Sequence, residues 1–115
     1  MDAAPAQPAP KTDPAALLEF LLQLGQAYLA CGEQTAEVEA ALARIATARG
    51  LRRPRVVAFP TAIHVAAHDG AAEHVTLSAG ATLRLRLDQI AAIYALGGEA
   101  QRGNVSPREG LERLE

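Results

Sequence analysis

Arg55-Val56-Val57-Ala58-Phe59-Pro60-Thr61-Ala62-Ile63-His64-Val65-Ala66-Ala67-His68-Asp69-Gly70 decides the fold, because here the apolar period changes from about 3.6 residues to 2 and β-branched residues appear. Val56-Val57-Ala58-Phe59 reads as a short strand, and Pro60, which has no N–H for a ladder, belongs on an edge or at a bulge. Ile63, Val65 and Ala67 then alternate with Ala62, His64, Ala66 and His68, and Asp69-Gly70 supplies a turn. Val75, Leu77 and Ala79 alternate with His74, Thr76 and Ser78; beyond Gly80, Leu83, Leu85 and Leu87 alternate with Thr82, Arg84, Arg86 and Asp88. Three successive segments with one apolar and one polar face imply an antiparallel-rich sheet of three to four strands, covered by helices on one side only.

Upstream the period is helical. Asp13 before Pro14 is an N-cap followed by a first helical residue that needs no free N–H. Leu17, Leu21, Leu24 and Tyr28, with Leu18, Leu22 and Leu29, spread a wide apolar face over a helix of about 14–30. Gly32 suits a left-handed C-terminal cap, Gln34-Thr35 offer capping groups, and Val38, Ala41, Leu42, Ile45 and Ala48 form the stripe of a second helix ended by Gly50. Residues 1–13, with prolines at 5, 8 and 10, read as a disordered leader. Downstream, Asp88 can cap a third helix reaching about Arg102, and Ser106-Pro107-Arg108-Glu109 is a capping box for a fourth. The expected architecture is one α+β two-layer sandwich over 14–115, with an N-terminal helical hairpin, the sheet and two C-terminal helices. The last helix stops abruptly at Glu115, which suggests a longer parent chain.

Composition narrows the function. At 115 residues there is room for one domain, and 50% hydrophobic residues with only 3% aromatic make a core of Leu, Val, Ile and Ala. Eleven Lys and Arg against thirteen Asp and Glu, a formal charge of −2, argue against nucleic-acid binding. The single cysteine, Cys31, allows no intramolecular disulfide and suits a reducing compartment. The longest promising uncharged stretch, Phe20 to Gly32, falls short of the about 20 apolar residues of a membrane-spanning helix, and the start lacks the basic and apolar regions of a secretory signal.

Reactive constellations are sparse. On a helix His64 and His68 would share a metal, but on a strand they stand roughly 13 Å apart at about 3.3 Å per residue, so no metal site is expected. His68 and His74 could meet across a hairpin, with only Asp69 and Glu73 as further donors. Ser78 lies in Leu77-Ser78-Ala79-Gly80, outside any nucleophile elbow. Thr61 and Thr35 read as a strand-edge and a capping threonine. Cys31, near a helix C-terminus, sits where the dipole disfavours a thiolate. Arg52-Arg53-Pro54-Arg55 is a basic connection able to meet phosphates or anionic head groups. Leu96-Gly97-Gly98-Glu99 matches no phosphate-loop or dinucleotide fingerprint. No enzyme activity and no cofactor are expected.

Leu22-Gln23-Leu24-Gly25-Gln26-Ala27-Tyr28-Leu29-Ala30-Cys31-Gly32-Glu33-Gln34-Thr35-Ala36-Glu37-Val38-Glu39 resembles a stretch of the threonine/serine exporter family, in which a leucine-rich helix ends in Gly and Thr is followed by Val-Glu. In many relatives an Arg precedes that pair, where Glu37 stands here. Gly50-Leu51, the run Val56 to Ile63 with Pro60-Thr61, Leu87-Asp88-Gln89-Ile90 and the run Gly103 to Leu111 with Leu114 are similar to later landmarks of the family, in order over about 15–115. The resemblance implies a soluble domain on the cytoplasmic face of the cell membrane. That domain would be accessory or regulatory to amino-acid efflux and attached, on the same or a separate chain, to a membrane-embedded half. Its expected partners are that half, a second copy and a small amino acid such as threonine or serine. The alternatives are a small-ligand sensor domain and a hydrolase-like domain. Two candidate sites follow: the hairpin corner with Gly32, Thr35 and Glu39, joined by the Pro60-Thr61 landmark, and a polar sheet face carrying His64, His68, His74, Thr76, Arg84 and Arg86.

Overall fold

A computed structural model of the chain describes residues 13–79 and 85–114. The leader over 1–12, and Leu83 and Arg84 of the expected last strand, lie outside the described residues. The element order is α1 (Pro14–Ala30), α2 (Thr35–Ala48), β1 (Arg52–Phe59), β2 (Ala62–His68), β3 (Glu73–Ala79), α3 (Leu87–Gln101) and α4 (Pro107–Leu114). This is the expected α+β architecture, with a three-stranded antiparallel sheet in the order β1-β2-β3.

The Asp13 side chain accepts a hydrogen bond from the Ala15 N–H at 3.1 Å, so α1 starts where Asp-Pro predicts. Leu17, Phe20, Leu21 and Leu24 are all 1% exposed or less. The cause is position: α1 is the axis of the molecule, touching α2, α3, α4, β2 and β3. Gly25 brings it down onto the sheet, since a Cβ there would meet Ile63 Cδ1 at 2.3 Å. Helix α2 lies over β1, and Val38, Leu42 and Ile45 close the core between them. Helices α3 and α4 pack on this helical layer, α3 against α1 and α2 and α4 against α1. Leu96, Ala100 and Val105 are buried in those contacts.

Three local expectations are corrected. The basic run is not a connecting loop: β1 begins at Arg52, and the extra length is taken up by a register irregularity between Arg52 and Arg55, where Arg53 adopts φ 50°. Pro60 and Thr61 form a two-residue turn, with Phe59 facing Ala62 across it, so Pro60 leaves the ladder intact. The expected last strand does not continue through Leu87. Leu85 and Arg86 are irregular, and Leu87 opens α3 with Arg86, not Asp88, as its N-cap. The Gln89 side chain accepts from the Arg86 N–H at 2.8 Å, a cap supplied from within the first turn that residue types alone favoured less than Asp88.

Candidate functional site

The pairing register fixes which face each sheet residue occupies. Val65 faces Val56 on one side and Thr76 on the other; Ile63 faces Ala58 and Ser78; Ala67 faces His74. Because Ile63, Val65 and Ala67 are buried under the helices, Thr76, Ser78 and His74 point toward the helices with them. Val57 and Leu77 flank His64, and Val75 flanks Ala66, on the open face. This corrects the expected polar sheet face. His64 and His68 stand on the open side, but His74 and Thr76 stand on the other, and Arg86 belongs to the start of α3, paired with Asp88 at 3.1 Å. Arg84 is outside the described residues. The open face is instead partly apolar, with Phe59 59%, Val75 60% and Leu77 64% exposed. Its charged end is an Arg55–Glu73 ion pair.

The histidines do not converge. His74 Nε2 lies 2.7 Å from Asp69 Oδ2, while His68 Nδ1 accepts from the Gly70 N–H at 2.9 Å. Among the described residues no three His, Cys, Asp or Glu side chains are placed to hold one metal ion.

At the hairpin corner, Gly32 takes φ 87° and the Glu33 N–H reaches back to the Tyr28 carbonyl at 3.1 Å, closing α1 with the left-handed residue that favours glycine. Thr35 is the first residue of α2, half-buried, with Gln34 as the cap residue. Glu39, one turn on, is drawn away from the corner: its Oε2 accepts from the backbone N–H of Ala58 at 2.9 Å. Thr35 and Glu39 therefore serve different places.

What the corner does assemble comes from α1, α2 and α3. A basin of about 170 Å³ is lined by Tyr28, Glu33, Glu37, Ala41, Arg44, Tyr94, Gly98 and Gln101. The Tyr94 hydroxyl donates to Glu33 Oε2 at 2.7 Å, and the Tyr28 and Tyr94 rings meet edge to face with centroids 5.3 Å apart. That hydroxyl, with the Gln34 N–H, holds the Glu33 carboxyl below its ordinary range. The same bond pushes the Tyr94 phenol up to about 12. Burial raises the Tyr28 phenol and the Cys31 thiol, the carboxylate of Glu33 adding to both. Cys31 therefore stays a protonated thiol at neutral pH. Gly97 is required here because a Cβ would stand 1.7 Å from the Tyr28 hydroxyl oxygen. Gly32 is legible in the sequence, but this basin is not. The only signal was that the chain's two tyrosines lie in helices, and nothing in their spacing says that the helices bring them together.

A second, larger cleft of about 410 Å³ opens between α1, β3, α3 and α4. Leu22, Ala27, Ile93 and Leu96 give it an apolar floor, and Glu19, Gln23, Gln26, Ser78, Gln89 and Arg113 a polar rim. Gln26 Nε2 donates to Ser78 Oγ at 2.7 Å. The serine thus faces an amide, which takes no proton as a base would, and its own O–H is left for another acceptor. Arg113 is bound to Glu99 through two contacts of 3.2 Å.

No helix among the described residues is long and apolar enough to cross a membrane. No curated protein and no solved structure matches the chain. The family described as putative threonine/serine exporter (ThrE) matches it over residues 19–115, which takes in α1 from its second turn, the whole sheet and both C-terminal helices. The chain belongs to the threonine/serine exporter family.

Proposed function

We propose that this α+β unit is an accessory or regulatory domain of a threonine/serine exporter-like transporter, standing on the cytoplasmic face of the membrane and not itself the translocation path. The observation that supports the reading is that the family match covers residues 19–115, yet these residues close around their own Leu, Ile and Val core as α+β layers. The transport path then belongs to a membrane-embedded part, on the same or a separate chain. The partly apolar open sheet face, with Phe59, Val75 and Leu77, is the surface available for that part or for a second copy. The test is threonine efflux from cells carrying the complete exporter, compared with cells in which residues 14–114 are deleted and membrane insertion is verified. Efflux that loses its rate or its dependence on internal threonine supports the proposal; unchanged efflux overturns it.

The two cavities favour a second, compatible reading, a small-ligand sensor. It predicts that the purified chain melts at higher temperature in the presence of its ligand, and L-threonine, L-serine and a dicarboxylate are the probes to compare.

A further inference from the structure

We propose that the open face of the sheet is a self-association surface, on which a second copy of the chain packs face to face about a twofold axis running along the strands. Of the six large hydrophobic side chains exposed among the described residues, four stand on this one face: Val57, Phe59, Val75 and Leu77. An apolar cluster of this kind marks a contact surface. The register grades the face along the strands. Arg52, His68 and Glu73 lie abreast at one end, Val57, His64 and Leu77 lie abreast farther on, and Phe59 stands at the other end. One end is therefore charged and the other apolar, while α1 and α2 cover the opposite side of the sheet.

This grading, with cations on β1 and the anion on β3, selects both the occupant and its orientation. An axis along the strands keeps each rank level with the same rank of the second copy and lays β1 over that copy's β3. Arg52 then meets the second copy's Glu73, and Val57 its Leu77. The stem of Arg55, whose guanidinium holds Glu73 of its own sheet, covers Val75 of the other. His64, on the central strand, stands at the axis level with its own copy. An axis across the strands would instead set Arg52 and Arg55 on Phe59 and Val57, burying charge without an opposite charge. An anionic lipid surface fits worse, because Glu73 would face head groups of its own sign. The two sheets would pack as an aligned sandwich about 10 Å apart. Three strands about 4.8 Å apart and the seven residues of β2 at about 3.3 Å give roughly 330 Å² of flat face per copy. Side-chain relief adds to that area, but the total stays at the small end of specific interfaces, so the dimer is weak, half-formed at about 0.1 mM.

The test is sedimentation equilibrium of the chain from about 5 µM to about 1 mM, with amide NMR over the same range. The expected result is a mass that rises from one chain towards two, with concentration-dependent shifts at Val57, His64 and Leu77 and none at Ala91 and Tyr94 of α3. Leu77→Lys and Arg52→Glu should each weaken association at least about tenfold, their fold checked by melting temperature in dilute solution. Arg108→Glu, which changes the net charge equally from α4, should leave association unchanged. A chain still monomeric at the highest concentration would overturn the proposal and leave the face to the membrane-embedded part. Association undiminished in Leu77→Lys, or shifts centred on α3, would overturn it as well, and equal effects of Arg52→Glu and Arg108→Glu would overturn the orientation. None of these outcomes bears on the effect of deleting residues 14–114 on efflux, so the dimer and the regulatory reading fail separately.

Discussion

Glu39 shows how one side chain is claimed by a contact that its neighbours in sequence do not announce. It lies one turn beyond Thr35, yet its carboxylate reaches the backbone N–H of Ala58 on β1, a strand at the end of the sheet order. An edge N–H that already has an acceptor is no template for another strand. A part-buried hydrogen bond to a charged group contributes about 1.5–3 kcal/mol, so Glu39→Ala should lower unfolding free energy by about that much in urea titrations, and Glu39→Gln, which keeps an acceptor, by less. Gly110 is a second such residue. A Cβ there would stand 2.4 Å from Phe20 Cε1, and Phe20 is 1% exposed with nowhere to turn. Overpacking of this kind costs about 1–3 kcal/mol, and Gly110→Ala should show it as a lowered urea midpoint with an unchanged slope. Neither contact is legible in sequence, because Glu39 and Ala58, like Phe20 and Gly110, are brought together only by the packing of whole elements.

Strand β3 illustrates what periodicity can and cannot decide. The alternation of Val75 and Leu77 with His74, Thr76 and Ser78 identifies a strand, and the structure has one there. It does not say which set faces the helices. The turn at Asp69–Ala72 sets the register, and Val65 opposite Thr76 places the polar set inside and the apolar set outside. The assignment is testable by charge insertion. Leu77→Lys should change stability by no more than about 0.5 kcal/mol, as at an ordinary surface position, while Thr76→Lys, which sends an ammonium toward the helices, should destabilise strongly; the opposite ranking in thermal melts would reverse the two faces.

The turn itself carries a pH dependence. Asp69 accepts from the Ala71 N–H at 2.7 Å and the Ala72 N–H at 2.8 Å and pairs with His74. The Ala71 N–H leads in holding its carboxyl well below the usual range, with His74 and the Ala72 N–H next. A carboxyl depressed in the folded state stabilises above its unfolded value of about 3.9, and that contribution is lost as pH falls below about 4. Melting temperature against pH should therefore fall in that window, and the fall should be shallower in Asp69→Asn. Two of the four helix starts were readable, while Asp88 does not cap α3 and the Gln34-Thr35 pair makes no side-chain cap on α2. Asp13-Pro14 and Ser106, whose Oγ accepts from the Glu109 N–H at 3.1 Å, cap as their sequences predict, because a cap is settled within four residues.

At the scale of the molecule, α1 is the feature that joins the parts. It is apolar nearly all round because it is enclosed by the hairpin partner, the sheet and both C-terminal helices. Both cavities open on it, the corner basin at Tyr28 and the larger cleft along Leu22, Gln26 and Ala27. Both cavities are lined by α1 together with α3. The sheet contributes the other surface, the open face with Phe59, Val75 and Leu77. The family and the layer architecture were legible in the ordered series of landmarks. The cavities were not, because each is lined from three or four elements far apart in sequence.

The role proposed for this unit is to govern amino-acid efflux without carrying the solute. The most direct measurement is threonine efflux as a function of internal threonine for three cell lines: intact exporter, exporter lacking residues 14–114, and that deletion with the 115-residue chain supplied separately. The deletion is expected to insert in the membrane but to flatten or abolish the dependence, and the separate chain to restore it at least in part. Identical curves for the intact and deleted exporters would contradict it.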